Sequence, residues 1–268
     1  MLGKLLKYEL LATARIFVPL YIGLMIVAII ASFSFRTDVG VIIAVATILL
    51  VSLYVALIVV TIIILIQRFY TNLLKDEGYL MFTLPVSPSM LISSKLIAAS
   101  IWCILSMIAG AIAAFIVVSA WVVPAEVLYY INYVIQELQF WIPAGVNFTP
   151  TIMILIIALI VQLVFSILHV YVSLAIGQLP PFGRYKILAA VGVYIAIMIV
   201  LQIVVSGITT IIGLFFVDEI IYFALSPLPR ALSLFNFFII ASTALNLILA
   251  AIAFVCTAKI LEKKLNLE

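Results

Sequence analysis

The sequence predicts an all-α polytopic membrane protein, a bundle of six transmembrane helices with both termini cytoplasmic. Three observations carry that reading. Apolar residues make up 68% of the chain and charged residues 9%, against roughly 45–50% and 25% in soluble domains, so there are too few charges to cover a surface in water. Six uncharged apolar runs are each long enough to cross a hydrocarbon layer about 30 Å thick, which takes about 20 helical residues. The Lys and Arg residues fall almost entirely on one side of those runs.

Residues 1–15 interleave Leu2, Leu5, Leu6, Glu9 and Leu10 with Lys4, Lys7 and Arg15. This is the pattern of an interfacial elbow helix on the inner membrane surface that turns into the first span; a protruding end of that span is the plainer alternative. The first span, Ile16–Phe35, is bracketed by Arg15 and Arg36. Its apolar run starts too late and runs too long for the core of a signal peptide, so an uncleaved span is expected. The second span, Val39–Ile66, exceeds the required length and should tilt or protrude into water. The third is Leu96–Val123, ending at Pro124, followed by Thr151–Gly177, Ile187–Val217 and Phe237–Ala258. None contains Asp, Glu, Lys or Arg. Lipid admits helices or closed barrels, and runs this continuous are not barrel strands.

With the N-terminus inside, the inner segments hold Lys4, Lys7, Arg15, Arg68, Lys75, Lys95, Arg184, Lys186, Lys259, Lys263 and Lys264, and the outer ones only Arg36 and Arg230. Outside then lie a tight turn (Arg36–Asp38), a middle segment (124–150) and a third segment (218–236). The middle segment carries Tyr129, Tyr130, Tyr133, Phe140 and Trp141, aromatic content suited to a headgroup layer. The third holds Pro227 and Pro229 amid Phe223, Leu225 and Leu228. It is too short and too broken to span twice, but it could dip into the outer leaflet and return. No tandem repeat or low-complexity stretch divides the chain, so residues 1–268 read as a single transmembrane domain. The formal charge of +3, with no run of bases, argues against nucleic acid. Cys103 and Cys256 stand inside apolar runs and read as two buried thiols rather than a disulfide.

Residues 67–95 form the longest cytoplasmic segment. Gln67–Lys75 extends the second helix into water, and Asp76, Glu77 and Gly78 make a polar break with a helix-capping glycine. Ser87 and Pro88 suit the N-cap and first residue of the third helix. Between them Tyr79, Leu80, Met81, Phe82 and Leu84 are apolar yet face the cytoplasm. Such a patch is buried against something. Lying flat on the inner leaflet and inserting into a soluble partner are both consistent with the residues alone.

Three stretches carry a family resemblance: KYELLATAR before the first span, LKDEGYLMFTLPVSP between the second and third, and the terminal KILEKKLNLE. Together they resemble the permease subunit of ABC-2 type exporters, particularly those of Gram-positive bacteria. The resemblance covers most of the chain as topology and these three stretches as sequence. It implies a plasma-membrane dimer with itself or a related permease, surrounded by lipid and coupled to a cytoplasmic ABC ATPase that binds ATP and Mg. It further implies that Lys4–Ala14 is the elbow helix, that Asp76–Leu84 (Asp76, Glu77, Gly78, Tyr79, Leu80, Met81, Phe82 and Leu84) couples to the ATPase, and that Ile220–Leu232 is a re-entrant element. The 27-residue middle outer segment is longer than a bare hairpin, a departure from the family pattern.

No G-x-x-x-x-G-K-[ST] run occurs, so no ATP-binding loop, cofactor or catalytic residue is expected on this chain. Nor do H-E-x-x-H, C-x-x-C or G-x-S-x-G occur, and the spans lack the carboxylates of a proton relay. Gln162, Ser166, His169 and Ser173 share one face of the fourth span, and Gln202, Ser206 and Thr209 share one face of the fifth. The hairpin geometry puts Gln162 and Gln202 at similar depth, where they could touch. These residues either glue helices together or line a substrate path. His169 has no second His, Cys or carboxylate near it in sequence to complete a metal site. Small residues on the third span (Ala99, Cys103, Ser106, Gly110, Ala114) and the sixth (Ser242, Asn246, Ala250, Ala253, Thr257) permit close packing. The expected function is export of an amphipathic or hydrophobic molecule, whether antimicrobial peptide, drug or lipid. A non-transporting assembly or sensor component is the alternative.

Overall fold

Apolar periodicity of this length yields helix, and the computed structural model describes residues 2–35, 39–74, 86–121, 129–130, 132–134, 136–137, 147–215 and 228–263, among which no strand occurs. Six long helices follow in order: α1 Leu2–Ser34, α2 Gly40–Leu74, α3 Pro88–Trp121, α4 Thr149–Gly177, α5 Lys186–Phe215 and α6 Leu228–Lys263, with a short 3-10 turn, Pro180–Tyr185, before α5. Each is long and apolar enough to cross a membrane. The six expected spans are therefore present as helices, but their ends differ from the apolar runs.

Helix α1 is 33 residues long, about 50 Å at 1.5 Å per residue, well beyond a 30 Å hydrocarbon core. No break marks the expected boundary between residues 15 and 16. Pro19 lies inside α1 without ending it. The hydrogen bond it removes belongs to the carbonyl of Arg15, at the edge of the apolar run, where water or headgroups can replace it. Helix α3 starts at Pro88, and the Ser87 carbonyl accepts from the backbone N–H groups of Met90 and Leu91 at 3.0 and 3.3 Å. The expected helix start is met, although the Ser87 hydroxyl bonds to Ser89 Oγ instead of a backbone N–H. Helix α6 begins at Leu228, so the last residues of the expected re-entrant stretch Ile220–Leu232 are continuous with the final span. Pro229, placed in the third outer segment from the sequence, stands in the first turn of α6, where a proline's missing N–H costs nothing. The remainder of that stretch lies outside the described residues.

The helices fall into two units, α1–α3 and α4–α6. In the first, α1 and α3 run side by side. The pairs Tyr21–Ser106 and Glu9–Lys95 are separated by 85 and 86 residues; a near-constant offset means parallel helices in register. Helix α2 meets them antiparallel and farther off, through larger side chains. Leu57 packs with Leu24, Ala28 and Ala113, and Ile64 with Phe17 and Trp102. The Phe17 and Trp102 rings stack with centroids 4.6 Å apart. Of the small residues expected to allow close approach on α3, Ala99 and Ser106 are buried. Gly110 admits the Tyr54 ring, whose hydroxyl donates to the Gly110 carbonyl at 2.5 Å.

In the second unit α4 and α6 lie in extensive contact, with α5 held to α4 by their short connection. At that corner the backbone leaves no room for a side chain at Gly177. A Cβ there would stand 2.7 Å from the backbone nitrogen and Cβ of Ala190, so the two helix backbones touch. Bonds from Gln178 N to the Ala175 carbonyl and from Leu179 N to the Ile176 carbonyl finish α4. Ala250, Ala253 and Thr257 on α6 are buried, whereas Ser242 is exposed. Cys103 is half-buried and Cys256 exposed, both as free thiols. The expectation of two buried thiols fails for Cys256, because on a lipid-bathed helix an apolar neighbourhood does not require cover from protein.

Candidate functional site

Two regions hold polar chemistry where the composition is otherwise apolar. The first is the end of unit one where the N-termini of α1 and α3 meet the C-terminus of α2. All three helices outrun their apolar stretches there, by residues 2–15, 67–74 and 88–95. These extensions are not free-standing. Phe69, Leu73, Leu91 and Ile92 are almost fully buried, as are Thr13 and Ser94. Lys95 Nζ donates to Glu9 Oε1 at 2.6 Å, with side chains only 3% and 11% exposed. A pair this deeply covered is costly to break, by about 3–5 kcal/mol when one partner is lost. It fixes α1 against α3 at the end of unit one where α2 finishes and α3 starts. The sequence signal for it was Glu9, a carboxylate set among Leu2, Leu5, Leu6 and Leu10, and Lys95, placed at the rim of a span and assigned to the loop.

Above the ion pair a hydroxyl seam joins all three helices. Tyr21 Oη lies 2.7 Å from Ser106 Oγ, and Ser106 Oγ lies 3.1 Å from Thr61 Oγ1, which also donates to the Leu57 carbonyl at 2.6 Å. Nothing in the residue pattern announces this network, because its members come from three spans whose mutual rotation only packing sets. Interhelical bonds of this sort contribute about 0.6 kcal/mol each on average.

The second region is the polar face of α4. Gln162 and Ser166 are exposed, whereas His169 and Ser173, further along, are buried. The face is open at mid-helix and closed toward Gly177. Asn246 Nδ2 on α6 donates to Gln162 Oε1 at 2.7 Å, so the partner of Gln162 is Asn246 and not Gln202, which is exposed on α5. Facing helices of a hairpin share depth, but rotation about the axis decides which side chains meet. Ser166 Oγ donates to the Gln162 carbonyl and Ser173 Oγ to the His169 carbonyl, both at 2.8 Å within the helix. His169 is stacked against Tyr194 of α5 at 4.6 Å and lies 5.9 Å from the Phe165 ring. Its Nε2 is buried with no hydrogen-bond partner.

Ser206 is exposed on α5 with its hydroxyl on the Ile203 carbonyl at 3.1 Å. The side chain of Thr209 lies outside the described residues, as do Asp76, Glu77, Gly78, Tyr79, Leu80, Met81, Phe82 and Leu84, together with Phe140 and Trp141. Tyr129, Tyr130 and Tyr133 are exposed, as rings at a headgroup layer would be. Among the described residues no three of His, Cys, Asp and Glu gather as a metal site requires. Comparison with protein-family models, curated proteins and solved structures finds no match for this chain.

Proposed function

We propose that this chain is the permease subunit of an ATP-binding cassette exporter, moving an amphipathic or hydrophobic molecule outward with energy from a separate ATPase. The observation that carries the reading is the buried helical base of unit one. The segment between α2 and α3 hangs from helices that continue as packed structure past their apolar stretches, with Glu9 and Lys95 tying α1 to α3. On this reading, a push arriving from the segment that follows α2 meets α1 and α3 already tied together, with Phe69 and Leu73 of α2 buried at the same end. The distribution of Lys and Arg supports a cytoplasmic position for that base, within reach of a soluble ATPase carrying ATP and Mg. Resemblance of the segment around Asp76–Leu84 to ABC-2 permeases supports the same assignment, as it does a second permease copy and a bacterial plasma membrane.

In this mechanism ATP-driven closure of the ATPase pair presses on Asp76–Leu84, and the rigid base converts that movement into a shift of the helices from inward-facing to outward-facing. Purification in mild detergent should recover a P-loop ATPase in stoichiometric amount, identified by mass spectrometry. Charge reversal at Asp76 and Glu77, or Tyr79→Ala with Phe82→Ala, should uncouple ATP hydrolysis from transport. A chain that purifies without an ATPase, together with normal coupling in these variants, favours the non-transporting assembly or sensor role instead.

A further inference from the structure

We propose that Gln162 and Asn246 form a mid-membrane hydrogen-bonding site for the transported molecule, and that the group it accepts is a carboxamide or peptide unit. The inference rests on the export reading and narrows its cargo class.

Depth comes first. Gln162 is near the middle of the 29-residue α4, with about 20 Å of helix on either side. That exceeds the roughly 15 Å half-thickness of the hydrocarbon core, so neither membrane surface supplies water at this level. Even so, Gln162 is exposed and Asn246 only half-buried. Amide groups facing hydrocarbon would go unsatisfied, and polar groups at this depth face a protein surface or a water-lined cavity instead.

The chemistry then selects the occupant. The bond from Asn246 Nδ2 to Gln162 Oε1 uses one donor and one acceptor. Gln162 Nε2 and Asn246 Oδ1 flank that bond and make no other side-chain hydrogen bond among the described residues. They offer a donor beside an acceptor, the complement of a group with one C=O and one N–H. An ionised phosphate brings only acceptors, and a quaternary ammonium brings neither an N–H donor nor an acceptor. Neither matches both groups, and the uncharged spans hold nothing to balance such a charge. Further along the same face of α4, the buried Nε2 of His169 has no hydrogen-bond partner, so the unmet hydrogen-bonding capacity extends beyond the amide pair.

The test uses the full chain in phospholipid nanodiscs without any ATPase. The probe is radiolabelled N-acetyl-leucyl-leucinamide, compared with an analogue in which esters replace the peptide N–H and the terminal amide. Empty nanodiscs set the background. Saturable binding of the amide probe is expected, weakened at least about tenfold by the ester replacements, because a site built to hydrogen-bond rejects a ligand that lacks the group. Gln162→Leu and Asn246→Leu should each weaken it by a similar factor, while the exchange Gln162→Asn with Asn246→Gln retains it. Elution profile and melting temperature report folding; if a leucine variant misfolds, the amide-to-ester ratio on the native chain decides. No saturable binding, equal binding of both probes, or full binding in both folded leucine variants overturns the proposal. A homodimer that falls apart in Gln162→Leu, with no probe binding in the native chain, would make the amides a subunit contact and overturn it too. Binding as expected without an associated ATPase leaves the site standing and refutes the export reading. An associated ATPase without binding refutes this inference alone.

Discussion

Replacing Glu9 by Gln tests whether the base of unit one is held by a buried charge pair or merely decorated by one. The two side chains are 11% and 3% exposed and meet at 2.6 Å. Pairs in water contribute about 0–1 kcal/mol, whereas removing one member of a covered pair costs about 3–5 kcal/mol because the other charge stays desolvated. The exposures put Glu9–Lys95 in the second class. At about 2–4 °C per kcal/mol for large domains, Glu9→Gln or Lys95→Met should lower the melting temperature of the purified chain by on the order of 10 °C. The double variant Glu9→Met with Lys95→Met removes both charges and keeps apolar bulk. It should melt within a few degrees of the native chain or above it, since an apolar pair often equals or exceeds a buried ion pair. The assay is a fluorescence-detected melt in detergent across the cycle of native chain, Glu9→Met, Lys95→Met and the double variant, with Glu9→Gln alongside. Single variants melting within about 2 °C of the native chain, or single effects that simply add in the double, would refute the reasoning.

Gly177→Ala places a methyl group 2.7 Å from Ala190 backbone nitrogen. The clash cannot relax by moving a side chain, so a loss of about 1–3 kcal/mol is expected, read as a lower melting temperature. Tyr54→Phe removes only the bond to the Gly110 carbonyl and should cost about 0.5–1.5 kcal/mol. Phe17→Ala empties a fully buried position stacked on Trp102 and should cost about 3–5 kcal/mol; melting curves that reverse this order would contradict the packing described for unit one. For orientation, cysteines are introduced in a Cys103→Ser, Cys256→Ser background. An impermeant maleimide should label Tyr130→Cys in intact cells and Lys186→Cys only after permeabilisation. The opposite pattern would invert the topology derived from the Lys and Arg count.

Where the chain is apolar was plain from the sequence, and with it the number and approximate place of the helices. Their true lengths were less so. Hydropathy marks where lipid begins, but α1, α2 and α3 continue because Leu10, Phe69, Leu73, Leu91 and Ile92 find cover beyond the apolar runs. Nor did the sequence say which polar groups meet. The arithmetic of a hairpin set Gln162 level with Gln202, yet the bond went to Asn246, because α4 has α6 as its closely packed neighbour. The seam of Tyr21, Ser106 and Thr61 was illegible for the same reason: its members lie on three helices whose rotations packing alone decides.

Polar residues on a membrane helix differ in how much they reveal, and the difference is one of reach. A serine or threonine hydroxyl can fold back onto the carbonyl one turn earlier, and Thr13, Ser166, Ser173 and Thr257 all do so at 2.7–2.8 Å. Such a residue is satisfied inside its own helix and requires neither a neighbour nor a ligand. Sharing a helical face with Gln162 therefore gives Ser166 and Ser173 no claim to a path or a seam. An amide has two donors and an acceptor to satisfy, which one backbone carbonyl cannot do. Gln162 and Asn246 answer part of that need with each other and leave the rest at mid-depth. On the proposed amide-binding site, the functional weight of the polar face rests with its amides and its histidine, and Ser166→Ala and Ser173→Ala should leave binding and stability nearly unchanged.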